Sequence, residues 1–185
     1  YLTLNTLIKN NEFEESVNLI KYAYECGIDA IIMQDLGLAK FAIENFPDLE
    51  IHASTQMTVH NVEGVKKLKK LGFKRVVLSR ELSLKEIKNI YDETGMDLEM
   101  FIHGALCVSY SGQCLMSSII GQRSGNRGKC AGTCRLPYEL INKNENKIVD
   151  NGYLLSSKDV CTLDIIPEII KSGAMSFKIE GRMKT

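Results

Sequence analysis

The chain has 185 residues, 44% of them hydrophobic and 25% charged, a globular composition at a length that buries about two thirds of the unfolded surface. Its formal net charge is zero, so bulk electrostatics gives no argument for a nucleic-acid, membrane or acidic partner. No run reaches the roughly 18 apolar residues of a membrane span and no basic-then-apolar leader precedes the first strand, so a soluble, cytoplasmic protein without a membrane partner is expected.

The first hundred residues alternate short β-rich runs with helical patterns. The runs are YLTLNT from Tyr1, AIIMQD from Ala30, EIHAST from Glu50, RVVLSR from Arg75 and LEMFIH from Leu98, the βα rhythm of a parallel sheet. Between them, FEESVNLIKYAYECG carries apolar residues at Val17, Ile20, Tyr22, Ala23 and Tyr24 before Gly27, and NVEGVKKLKKLG aligns Val62, Val65 and Leu68 before Gly72. Both patterns end on the residue a helix C-terminus prefers. SLKEIKNIYDETG opens with Ser83 and Glu86 in capping-box spacing and closes at Gly95.

After Phe101 the rhythm breaks into a loop far longer than the roughly two to six residues usual between strand and helix. From Tyr138, YELIN and KIVD read as two antiparallel strands about the turn Lys143 to Asn146, with Asp150-Asn151-Gly152 as a second turn. Regular units then resume with YLLSSKD, the helical TLDIIPEIIKSG and a last strand from Ser176 to Gly181.

An open wound sheet and a (β/α)8 barrel both produce this pattern. The reading adopted is an α/β, TIM-barrel-like (β/α)8 fragment over residues 1–185, lacking the first two βα units and the last helix of a complete barrel. A Cys-rich loop and small β excursion over residues 104–156 are inserted in it. Tyr1 already lies inside an apolar alternation and EGRMKT stops where a helix could begin, so the chain reads as a piece of a longer protein. Polar residues at strand ends, Asn5, Gln34, Asp35, Ser54 to Gln56, Ser79 to Glu81, His103 and Lys178 to Arg182, would then ring the C-terminal face where barrel active sites are built.

The chemistry concentrates between Phe101 and Tyr138. This stretch holds Cys107, Cys114, Cys130 and Cys134, spaced C-x6-C-x15-C-x3-C among glycines and small polar residues, and no carboxylate. Four thiolates suit zinc or an iron–sulfur cluster. Only Cys130 to Cys134 approaches the tight knuckle of structural zinc, so the wide spacings favour the cluster, with zinc as the alternative metal. Cys26, on an apolar helix, and Cys161 read as buried core thiols. Arg123, Arg127, Lys129 and Arg135 give the same stretch a charge of +4, which would offset an anionic metal centre or form a phosphate-binding rim. Gly125-Asn126-Arg127-Gly128 has the G-x-x-G form of an RNA-binding clamp, without the module that surrounds it elsewhere. The three histidines, His52, His60 and His103, form no H-E-x-x-H, and there is no G-x-S-x-G or phosphate loop. His103 and Cys107 could be drawn as base and nucleophile, but a cysteine that ligates a metal cannot readily be both.

The run HGALCVSYSGQCLMSSIIGQRSGNRGKCAGTCRLPY, with LLSSKD at 154–159 and KIEGRMK at 178–184, strongly resembles peptidase family U32, the collagenase-like proteases. Within the family it looks most like the branch associated with oxygen-independent hydroxylation of a cytidine in 23S ribosomal RNA, with a transfer-RNA uridine-hydroxylating branch close by. Other relatives hydroxylate the ubiquinone ring and bind a [4Fe–4S] cluster through cysteines of this motif. The resemblance implies a barrel, a [4Fe–4S] cluster on Cys107, Cys114, Cys130 and Cys134, an RNA partner and prephenate as an oxygen donor. A collagenase-like endopeptidase acting on protein, and a non-catalytic metal-stapled RNA-binding module, are the alternatives. Glu180, Arg182, Arg80 and Glu81 are the candidate catalytic residues for substrate or donor contacts, and Arg123, Arg127, Lys129 and Arg135 the candidate phosphate contacts.

Overall fold

The structure, a computed structural model, describes residues 1–181. Five parallel strands follow one another with helices between: β1 (Leu2–Leu4), α1 (Phe13–Glu25), β2 (Ala30–Met33), α2 (Leu36–Asn45), β3 (Glu50–Ala53), α3 (Val62–Leu71), β4 (Arg75–Val77), α4 (Leu84–Thr94) and β5 (Asp97–Gly104). The long loop contains only the short α5 (Met116–Gly121) and two single 3-10 turns. Then come the hairpin β6 (Tyr138–Ile141) and β7 (Lys147–Gly152), the two-residue β8 (Val160–Cys161), α6 (Ile166–Lys171) and β9 (Ala174–Glu180).

The local chemistry accounts for the helix ends. Asp35 and Asn61 cap α2 and α3 by accepting the backbone N–H groups of Leu38 and Gly64. Ser83 and Glu86 form the expected capping box on α4. In the main sheet β1, β2, β3, β4, β5 and β9 are neighbours in chain order, each parallel to the next, and β8 joins antiparallel beside Gly104 of β5. The order never reverses, so the sheet winds in one direction.

Alternation along the strands divides the sheet into two faces. Ile31, Met33, Ile51, Ala53, Val76, Leu78 and Leu98 share one core with Ile20 and Ala23 of α1, Leu38, Ala39 and Ala42 of α2, Val65 and Leu68 of α3, Ile87 and Ile90 of α4, and Ile169 of α6. Five helices therefore cover the same face. The opposite face carries His52 and Ser54 on and after β3, Glu99 and Phe101 on β5, and Ser176 and Lys178 on β9, with Lys178 and Ser176 both held by Glu99. Its His52 is 1% exposed, and burial pushes the imidazole below its ordinary pKa. At the far end of β5, Gly104 adopts φ 110°, and a Cβ there would overlap the Glu180 carbonyl of β9, so only glycine lets these strands approach so closely.

Several expectations are corrected. Cys26 and Cys161 are exposed: α1 buries Ser16, Ile20 and Ala23, and Cys26 falls at its C-cap where the chain turns away, while Cys161 lies on a short strand at the sheet's end. For the same reason Tyr22 is exposed. Asp150-Asn151-Gly152 is the end of β7 and not a turn. Gly152 pairs with Tyr138, and Asn151, at φ 58°, accompanies the register irregularity there. YLLSSKD forms no strand, because its polar groups are used by an arginine described below. No helix among the described residues is long and apolar enough to cross a membrane.

Candidate functional site

The C-terminal ends of β3, β4, β5 and β9 converge with the cysteine loop. Just past β4, Arg80 donates to Glu180 at 2.9 Å and lies over the Phe101 ring at 4.3 Å, a cation–π contact in a partly dry setting. Its Nε is buried with no hydrogen-bond partner among the described residues. Beside it, Glu81 accepts from the Ser111 backbone N–H at 3.0 Å and faces His60 Nε2 at 3.3 Å. Of the sequence-derived candidates, Arg80, Glu81 and Glu180 thus come together, and Arg182 lies outside the described residues.

The cysteines gather at the same end. Cys107 is an exposed residue, but partial desolvation within the loop pushes its thiol above its ordinary pKa; the Ser109 backbone N–H and the charge of Arg80 pull the other way, and nearby Cys114 and Cys134 add to the rise. Cys107 therefore feels two of the other three thiols. The third is tied in through Gly125: a Cβ built there would lie 3.6 Å from Cys130 Cβ and 3.9 Å from the Cys114 carbonyl oxygen. The Gly132 N–H donates to Cys130 Sγ at 3.4 Å. Among the described residues no three Cys, His, Asp or Glu side chains are already drawn into a metal-holding group. The donor types nevertheless suit a thiolate-ligated centre: four cysteines on one glycine-rich loop, an N–H donating to one of the sulfurs, and an arginine near Cys107 to offset charge.

The four basic residues of the loop divide into two pairs. Arg127 forms a bidentate pair with Glu12, both bonds 2.9 Å, and also donates to the Leu7 carbonyl at 3.3 Å. Its guanidinium holds the Glu12 carboxyl down at about 2. Arg135 is turned inward, bonding Ser156 Oγ at 2.9 Å, the Ser157 carbonyl and the Leu106 carbonyl at 2.7 Å, with Asp159 at 3.4 Å. Both tie the loop down, Arg127 through a carboxylate 115 positions away and Arg135 through a set of carbonyls and a hydroxyl. Arg123 and Lys129, like Arg127, are exposed, and Arg123 Nε donates to the Lys129 carbonyl at 3.1 Å.

Sequence reasoning missed Thr58, His60 and Ser111 as parts of this site. None carries a local signal: Thr58 and His60 follow a short 3-10 turn after β3, and Ser111 is one small residue in a polar loop. Only the spatial approach of the two loops reveals them.

A one-way parallel sheet with helices on one face and a four-cysteine loop at its C-terminal end defines the class, a mixed α/β protein. The chain belongs to Peptidase family U32, which it matches over residues 1–185. It is 44% identical over 184 residues to the 23S rRNA 5-hydroxycytidine C2501 synthase of Escherichia coli K12, covering 100% of this chain and 28% of that protein. It is 34% identical over 191 residues to the tRNA hydroxylation protein P1 of Bacillus subtilis 168, covering 100% of this chain and 45% of that protein. The chain therefore spans less than half the length of these relatives. The structure of the U32 peptidase Mk0906 is similar with a TM-score of 0.50 at 15% identity, over 80% of this chain and 60% of that one, which shows a shared mixed α/β fold.

Proposed function

We propose that this chain is the cluster-bearing part of an enzyme that hydroxylates an RNA base, a 23S ribosomal cytidine or a transfer-RNA uridine. The observation that supports the reading is that one loop brings Cys107 near Cys114, Cys134 and Arg80, and Cys130 near Cys114 through Gly125, at the end of the sheet where Arg80 meets Glu180. In this reading the sheet is part of a barrel wall, consistent with its unreversed strand order and its helices on one face. The four thiolates hold a [4Fe–4S] cluster, with zinc as the alternative, and the cluster supplies electron-transfer chemistry when bound. Arg123 and Lys129 meet phosphates flanking the base, which leaves its stack to reach the mouth. The Nε of Arg80, without a partner among the described residues, is a donor for an anionic co-substrate, with a carboxylate such as prephenate as the oxygen source. Soluble, cytoplasmic RNA is the partner this implies.

A peptidase reading has one geometric point in its favour. Ser79 Oγ lies 3.5 Å from His60 Nδ1, and His60 Nε2 lies 3.3 Å from Glu81. Two facts weigh against it. Ser79 is 4% exposed, and His60 Nδ1 is 2.9 Å from the Thr58 carbonyl, which accepts its proton and leaves no lone pair there to act as base toward the serine.

Mass spectrometry of ribosomal and transfer RNA from a deletion strain, complemented with the wild-type gene, Cys114→Ser or Ser79→Ala, tests the proposal. One hydroxylated nucleoside is expected to vanish on deletion, return with wild type and Ser79→Ala, and stay absent with Cys114→Ser. Unchanged RNA in the deletion strain, together with protease activity lost in Ser79→Ala, would transfer the function to proteolysis.

A further inference from the structure

Between Cys107 and Cys114 the loop makes one deep anchor. Ser111 is 0% exposed, although it belongs to an otherwise open segment with Tyr110 63% exposed next to it. All of its polar groups are engaged by two other loops. The backbone N–H donates to Glu81 Oε1 at 3.0 Å, the hydroxyl donates to the same carboxylate at 3.2 Å, and the hydroxyl oxygen accepts from the Arg80 backbone N–H at 3.1 Å. On the other side its carbonyl accepts from Thr58 Oγ1 at 2.8 Å, and Thr58 Oγ1 accepts in turn from Gln113 Nε2 at 2.9 Å.

The backbone is shaped for this fit. Thr58 holds a left-handed conformation at φ 57°, uncommon for a β-branched residue and maintained only where the surroundings demand it. Gly112 at φ 73° lies so close to the chain after β3 that a Cβ would come within 2.8 Å of Gln56 Cα. His60 lies between the two sides of the socket, its Nε2 3.3 Å from Glu81 without a hydrogen bond and its Nδ1 tied to the Thr58 carbonyl at 2.9 Å. The bonded path of the socket therefore runs from Glu81 through Ser111 to Thr58.

We infer that Ser111 is a plug, and Glu81 with Thr58 its socket, and that together they position Cys107 and Cys114 for ligation. Glu81 is on this account a positioning residue and its carboxylate is spent on the loop, leaving Arg80 and Glu180 as the pair that faces the mouth. A loop without helix or sheet around two ligands would otherwise lose the arrangement to chain entropy; four satisfied hydrogen bonds at one buried residue hold both ligands within four positions of a fixed point. The part of the inference that concerns ligation rests on the cluster reading given above, whereas the anchoring itself does not.

The experiment has an arm for each part. Full-length protein stripped of metal with a chelator is labelled with maleimide, and the rate at each cysteine is read by mass spectrometry in wild type, Glu81→Gln, Ser111→Ala and the milder Gln113→Ala, whose lost bond is on an exposed side chain. Cys107 and Cys114 are expected to label about tenfold faster in the first two variants and a few-fold faster in the third, while Cys26 on the far helix keeps its wild-type rate. Equal rates at Cys107 and Cys114 in wild type and all three variants would overturn the anchor, and a parallel rise at Cys26 would reduce it to general unfolding. In the second arm, iron and sulfide retained after anaerobic purification are expected to fall in Glu81→Gln and Ser111→Ala with the melting temperature of the metal-free protein little changed. Full retention in both variants would overturn the positioning role. A wild-type protein that carries no iron and sulfide would sink the cluster reading and leave the labelling result to decide the anchor alone.

Discussion

Glu12 and Arg127 join the start of α1 to the far side of the cysteine loop, and their titration is the most local statement the structure makes. The Arg127 guanidinium first, and the Lys9 backbone N–H second, lower the Glu12 carboxyl from 4.5 to about 2. A depressed carboxylate contributes stability that is present above 4.5 and is lost as the pH falls from there through about 2; both side chains are partly exposed, so salt screens the contribution. Carboxyl NMR of the wild type should place the Glu12 midpoint near 2, and Arg127→Ala should raise it toward 4.5 without reaching it, because the Lys9 N–H still donates to the carboxylate. A midpoint that does not move between the two proteins would contradict the pairing. At this scale the sequence was only partly legible. The four cysteines stand out because glycine-rich polar surroundings are poor core material. The fates of Arg127 and Arg135 do not, since each is decided by an acceptor distant in the chain, Glu12 for one and the segment Ser156 to Asp159 for the other.

Among the elements, the junction of β5 and β9 is where the mouth is assembled, because it brings Phe101 alongside Lys178 and Gly104 alongside Glu180. Gly104 permits that approach. Gly104→Ala combines a positive φ of 110° with overlap of the Glu180 backbone, and is expected to destabilise the protein by about 2–4 kcal/mol, the combined cost of backbone strain and overpacking. Urea unfolding measures it; a loss under about 0.5 kcal/mol, the range of neutral surface changes, would show that β9 does not close on β5 in this way. The helices were readable in advance because period and caps agree, as at Ser83 and Glu86 of α4. β8 was not, since two residues show no period. Its place is set by pairing with His103 and Gly104, and by the Thr162 hydroxyl donating to the Ile102 carbonyl at 2.8 Å.

For the whole molecule, the parallel βα winding was legible from the recurring β-rich runs, and the one-sided helical cover follows from alternation in β2, β3, β4 and β5. What no pattern could supply is the way residues 104–135 fold back over the strand ends. That path depends on Ser111 meeting Glu81, Ala131 donating to Ser117 Oγ at 2.9 Å, and Gln56 reaching the Asn126 carbonyl at 3.4 Å, contacts between residues up to 70 positions apart. The purpose of the arrangement, on the reading developed above, is to hold four thiolates as one ligand set beside Arg80. Iron and acid-labile sulfide in the anaerobically purified full-length protein test this most directly. The account predicts about four of each per chain, a visible chromophore lost in Cys114→Ser and kept in Cys26→Ala. Zinc alone, no metal, or equal loss of colour in both variants would contradict it.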